Sequence, residues 1–150
     1  MTINNTDAVD ICATLSRIVA KVNITSTDNR PAIVAAIRAT FSAGGKAFNP
    51  TTGLATDNSG SSNTVVLQNA PGGTSGIVSY LFLATDEQTL DVTFETLDAS
   101  EHVLYTKTIT GVRLKRNRVT TLRGVMFAND STSGSFQVDT DWIEGNTLNF

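Results

Sequence analysis

The chain has 150 residues, enough for one domain with one core. Its formal net charge of -3 and pI near 5.0 give it no long-range attraction for phosphate backbones or anionic lipid, which argues against nucleic acid as a partner. Hydrophobic residues at 40% against 17% charged, with Thr, Ser, Asn and Gly crowding the gaps between short apolar runs, give the texture of an all-β extracellular module. Cys12 is the only cysteine, so neither an internal disulfide nor a cysteine-based zinc site forms, and it reads as a small buried hydrophobe. The N-terminus, MTINNTDAVD, lacks the basic start and apolar core of a signal peptide. No window approaches the roughly 20 apolar residues of a membrane span. The chain therefore reads either as cytoplasmic or as a mature form whose export signal has been removed.

Residues 1–10 are polar and are expected to be a flexible segment ahead of a single domain over 11–150. In 14-TLSRIVAKVNIT-25 the β-branched half alternates as Ile18, Ala20, Val22 and Ile24, which predicts a first strand. The segment 28-DNRPAIVAAIRATFS-42 is ambiguous. Asp28 or Asn29 before Pro31 is helix-start chemistry, whereas Ile33, Ala35, Ile37, Ala39 and Phe41 share one face at period 2; local chemistry alone leans to a short helix. Residues 44–63 are nearly all turn formers, a long surface loop with a short extended piece around 47–54. Strands follow at 64-TVVLQ-68 and at 77-IVSYLFLAT-85, whose mostly apolar run predicts a central, well-buried strand. Leu90, Val92, Phe94 and Thr96 alternate in 89–98, and the turn 98-DASE-101 joins this strand to 102-HVLYTKTITGVRL-114 as a hairpin. The last two strands are 119-VTTLRGVMFA-128 and 135-SFQVDTDWI-143, the latter with Phe136, Val138, Thr140 and Trp142 on one face. About seven strands with turns at short intervals predict an all-β, antiparallel β-sandwich with Greek-key connections.

Five of the 11 basic residues lie in 111-GVRLKRNRVTTLRG-124: Arg113, Lys115, Arg116, Arg118 and Arg123. The apolar residues Val112, Leu114, Val119 and Leu122 make this two strand ends joined by a polar bend over 115–118. The cations are then solvated at a reversal, and edge cations also discourage pairing with foreign strands. No base-stacking aromatic lies within the cluster.

The run 112-VRLKRNRVTTLRG-124, followed by 136-FQVDTDW-142, resembles the fimbrillin-like proteins of the Bacteroidales, subunits and anchors of type V pili. The opening 15-LSRIVAKVNI-24 is similar to that family's first strand, and 48-FNPTTG-53 to one of its loops. The resemblance covers about residues 15–142. It implies a transthyretin-like β-sandwich, which moves residues 32–41 from helix to strand. It also implies an exported cell-surface or fimbrial protein, associated with the outer membrane and active in adhesion or pilus assembly. Its partners would be other pilus subunits or surface proteins, joined by passing a strand between neighbours, and a host or bacterial surface ligand. The sequence departs from the pattern in three ways: Arg113 stands where Pro is frequent, 8-AVDIC-12 is no lipobox, and only one sandwich domain is present. A membrane association would thus need a lipid anchor that this chain does not contain. Candidate Arg-specific cleavage follows Arg17 or Arg30, the second disfavoured by Pro31.

Enzyme chemistry finds little support. His102, the only histidine, reads as an exposed turn residue, leaving no other base for a Ser-His-Asp arrangement. Asp139, Asp141 and Glu144 lack EF-hand spacing and fit the outward face of a strand, so no metal site and no cofactor are expected. The runs 44-GG-45 and 72-GGTSG-76 are turns rather than phosphate loops, since no Lys-Ser/Thr and no helix start follow. Asp130-Ser131-Thr132 resembles an O-glycosylation signal of the same bacterial group. The expected function is a non-enzymatic fimbrillin-like structural or adhesive component. Its assembly residues would be Ile18, Val22 and Ile24 beside the first strand, or Phe136 and Val138 beside the last. The alternative is a glycan-binding sandwich using Trp142 with the 44–63 loop.

Overall fold

Short runs of alternating polarity are realised as strands throughout. A computed structural model describes residues 16–68 and 71–127, together with the backbone of 137–139, and holds no helix among them. The strands are β1 (Val19–Ser26), β2 (Ala36–Phe41), β3 (Ser61–Val66), β4 (Gly76–Phe82), β5 (Glu87–Leu97), β6 (Val103–Lys115), β7 (Val119–Gly124) and β8 (Gln137–Asp139). They form two four-stranded sheets, in the order β4-β1-β7-β8 (sheet A) and β3-β2-β5-β6 (sheet B). The protein is a β-sandwich. Five of the six strand pairs are antiparallel; β1 and β7 run parallel, with Lys21 beside Val119 and Ile24 beside Leu122.

The core lies between the sheets. Sheet A contributes Ala20, Val22, Ile24, Ile77, Leu81 and Leu122, and sheet B contributes Ile37, Ala39, Phe41, Leu90, Val92, Phe94, Val112 and Leu114. Period-2 alternation puts each of these side chains inward and its neighbours outward. Of the buried polar residues, Thr96 is fully buried and its Oγ1 has no hydrogen-bond partner among the described residues. The β5–β6 hairpin kinks where Asp91 faces two residues on β6, and Gly111 there adopts φ +70°. This bulge is held by the Gly111 N–H donating to Asp91 Oδ1 at 2.9 Å, and it turns the strand so that Val112 and Leu114 reach the core.

Two local expectations resolve differently. The segment 28–42 holds a turn followed by a strand, Ala36–Phe41, and no helix, because Asp28 does not cap a helix. Its carboxylate accepts the Met126 N–H at 2.8 Å and the Phe127 N–H at 2.7 Å, which ties the start of this segment to the end of β7. Helix-start chemistry is thus spent on a distant partner, and β2 gains two ladders of hydrogen bonds, with β3 and β5. Ile33 lies in the preceding turn and is exposed, so the period-2 face begins only at Ile37. The second correction concerns β4, expected to be central and well buried. It is an edge strand whose inward Ile77, Ser79 and Leu81 are buried while Val78 and Tyr80 face outward.

The 44–60 loop is folded against one end of the sandwich. In 48-FNPTTG-53 the Asn49 N–H donates to Leu54 O at 2.8 Å, the Gly53 N–H to Asn49 O at 2.7 Å, and Asn49 Oδ1 accepts the Thr51 N–H. The Phe48 ring stacks on Phe82 at 4.7 Å, and Arg116 Nη1 donates to Thr52 O. At Gly45 a Cβ would stand 2.3 Å from Asp57 O, so only glycine lets the two limbs of the loop approach.

Replacing Phe94 with Ala is expected to cost about 3–5 kcal/mol in urea unfolding, the usual cost of deleting a buried ring. Thr96→Val, by contrast, removes a buried hydroxyl without changing shape, and a gain of about 1 kcal/mol is expected in the same measurement.

Candidate functional site

A sheet edge offers main-chain hydrogen bonds to a partner, and each described edge is managed differently. β6 carries the bulge, Arg113 and a row of outward threonines. β3 begins with the polar run Ser61, Ser62 and Asn63. On β4 the outward side chains are Val78, 41% exposed, and Tyr80, 61% exposed. Antiparallel pairing with β1 uses alternate residues, so the N–H and C=O groups of Val78, Tyr80 and Phe82 point away from β1. Phe82 exchanges both of its bonds with Gly45, at 2.9 and 3.0 Å. Val78 O accepts from Asn63 Nδ2 at 3.2 Å, and the same Nδ2 reaches Ser79 Oγ. Between these two clasps the N–H and C=O of Tyr80 have no bond among the described residues.

Beside this stretch the edges of the two sheets part to form an open cleft of about 370 Å³. Phe41, Val78, Tyr80 and Phe82 supply its apolar lining, and Ser61, Asn63 and Lys46 its polar rim. It is therefore a groove with an apolar wall and an unsatisfied strand edge, the two features that β-strand addition needs.

The residues expected to carry assembly are distributed otherwise. Val22 and Ile24 are fully buried, on a strand flanked on both sides by β4 and β7, so β1 offers no open edge beside it. Ile18 is half-buried just ahead of β1 and packs over Gly53. The backbone of Val138 pairs with Leu122, while Phe136 and Trp142 lie outside the described residues, as do Cys12, Asp141, Glu144 and Ser131. The Arg30 side chain is buried and its Nη1 donates to Leu67 O at 3.2 Å, which closes the second candidate cleavage bond to a protease. Arg17 is exposed. Sequence reasoning found the strand at 77–85 but not its place at the edge, because an alternating apolar strand looks alike at the centre and at the edge of a sheet.

The basic run forms the predicted reversal, with Asn117 in a left-handed conformation at φ +61°. Arg113 is ion-paired with Glu87, and Arg116 with Asp86 at 2.7 Å, so two of its cations tie the β6–β7 turn to the start of β5. Asp139 sits on β8 opposite Thr121. Among the described residues no group of three or more His, Cys, Asp and Glu side chains is placed to hold a metal ion. His102 is exposed in the β5–β6 turn, where its Nδ1 lies 3.2 Å from Asp98 Oδ2.

Residues 1–147 match the profile of a family of unknown function, DUF6562. The chain belongs to the DUF6562 family. Neither a curated protein nor a solved structure matches it. The family description names no activity, so for this DUF6562 chain the edge groove and its neighbouring surfaces carry the functional argument.

The turn after β5 has one titratable consequence. The Asp98 carboxyl is held below its ordinary value, first by the His102 N–H at 2.9 Å and also by the Ser100 N–H at 2.8 Å. A depressed carboxylate contributes stability above its unfolded pKa and loses it as pH falls through the folded one. Asp98→Ala is therefore expected to melt at a lower temperature than the parent chain at pH 7, and the difference should vanish in acid below the folded value. A difference that persists at low pH would show that the carboxylate charge is not its source.

Proposed function

We propose that this protein is a non-enzymatic structural or adhesive module that joins its partners by β-strand addition at the edge of β4. The observation that carries the reading is the unsatisfied backbone of Tyr80 beside the apolar-walled cleft between β3 and β4. An added strand would gain ladder hydrogen bonds there and cover Val78, while alternate side chains entered the cleft toward Phe41. The edge is short because Asn63 and Gly45 clasp its two sides. A short edge suits an exchange that is specific and does not propagate along a flat sheet.

The resemblance to fimbrillin-like proteins supplies the setting: an exported subunit or anchor of a surface fibre, met by a strand from a neighbouring subunit. The sandwich architecture supports this reading, and the buried position of β1 changes its geometry. With Val22 and Ile24 in the core and Arg30 shielded, the reading favours the edge of β4, beside its open cleft, over β1 as the site for a partner strand.

The test is light scattering after size exclusion across a concentration series, with and without trace Arg-specific protease acting at Arg17. The parent chain is expected to form oligomers that grow with concentration, and Val78→Lys to stay monomeric with an unchanged melting temperature. A parent chain that remains monomeric under every condition, or a Val78→Lys variant that assembles equally well, would remove the basis for the reading.

A further inference from the structure

We propose that the outer face of sheet A binds an acidic saccharide, a sugar ring carrying a carboxylate, in a cationic cleft beside Tyr80. The cleft has a volume of about 380 Å³, in the size range of pockets that take small ligands. It is built from one row across three adjacent strands: Tyr80 on β4 is opposite Lys21 on β1, and Lys21 is beside Val119 on β7. Val19 and Val119 form an apolar floor, and the Tyr80 side chain, 61% exposed, stands beside them. Arg17, Lys21 and Arg118 bring three cations to the same cavity, and Asn117 adds an amide. Among the described residues no carboxylate lines the cleft, and neither Arg17 nor Lys21 has an ion-pair partner.

The frame is preorganised. The Lys21 N–H donates to Arg118 O at 2.9 Å, and the Asn117 N–H to Val19 O at 2.9 Å, so the β6–β7 turn is fastened to β1 where the cations converge. Asn117 reaches this position only through its left-handed backbone. The chemistry selects the ligand class. Guanidinium and ammonium groups give charge-assisted hydrogen bonds to a carboxylate, while an aromatic face beside an aliphatic floor accepts the apolar face of a pyranose. A nucleic acid would need a longer basic track with several stacking aromatics, and the net charge of -3 opposes an extended polyanion. This inference does not rest on strand addition, which uses the backbone of β4, whereas the sugar meets side chains on the outer face.

The experiment is an NMR titration of the full chain with cellobiouronic acid, with cellobiose as the neutral counterpart, and with inorganic phosphate. Saturable shifts at Tyr80, Lys21 and Asn117 are expected with the acid. Cellobiose should bind at least about tenfold more weakly, as should the acid to the double variant Arg17→Gln/Lys21→Gln, given the strength of hydrogen bonds to charged groups. Affinity for the acid should fall as salt is raised. Tyr80→Ala should lose the disaccharide and keep whatever phosphate binding exists. Absence of saturable binding, equal affinity for both disaccharides, or unchanged affinity in the double variant at an unchanged melting temperature would overturn the proposal. Phosphate binding as tight as the disaccharide, with Tyr80→Ala harmless to both, would likewise reduce the cleft to a simple anion site and overturn the sugar assignment.

Discussion

The parallel pairing of β1 with β7 is the constraint on which the rest of the structure depends. Antiparallel neighbours can be joined by a tight turn, but parallel ones need a long crossover. Here the crossover consists of β2 to β6, most of which is the whole of sheet B. The pair is secured at both ends. The Asp28 carboxylate holds the Met126 and Phe127 N–H groups beyond the end of β7, and the 115–118 turn donates to and accepts from β1 ahead of its start. With β1 locked between β4 and β7, its inward residues Ala20, Val22 and Ile24 form the middle of the sheet A core.

That arrangement also decides where the molecule is open. A central β1 leaves β4 as an outer strand, and the chain then covers β4 only partly. Gly45 from the folded loop clasps one side through two backbone hydrogen bonds with Phe82, and Asn63 clasps the other through its side chain. Tyr80 lies between them and lines both the groove at β3 and the cleft on the outer face of sheet A. The two surfaces therefore meet at Val19 and Tyr80, which line both of them.

The charge distribution follows the same division of labour. The cations nearest the start of β5 are neutralised locally, Arg113 by Glu87 and Arg116 by Asp86, and the cross-strand pair Arg38–Glu95 does the same on sheet B at 2.6 Å. Arg38 is held further protonated, first by its hydrogen bond with Glu95. Exposed pairs of this kind add little stability but fix the orientation of long side chains. Arg17 and Lys21, which line the cleft beside Asn117 and Arg118, have no such partner among the described residues.

Much of this was legible in the residues alone. Alternation of apolar and polar side chains along Val19–Ser26 and Glu87–Leu97 determines which side of each strand is buried, and the turn chemistry of Asp98, of 48-FNPTTG-53 and of the 115–118 bend determines where the chain reverses. These are local properties, set by side-chain period and backbone preference. Only the tertiary structure decided that β4 is an edge, that β1 is enclosed on both sides, that Asp28 binds the end of β7 instead of capping a helix, and that Arg17, Lys21 and Arg118 meet. Every strand carries the same N–H and C=O groups, so its pairing partner depends on how distant segments pack over the common core, and nothing in a strand's own residues names that partner.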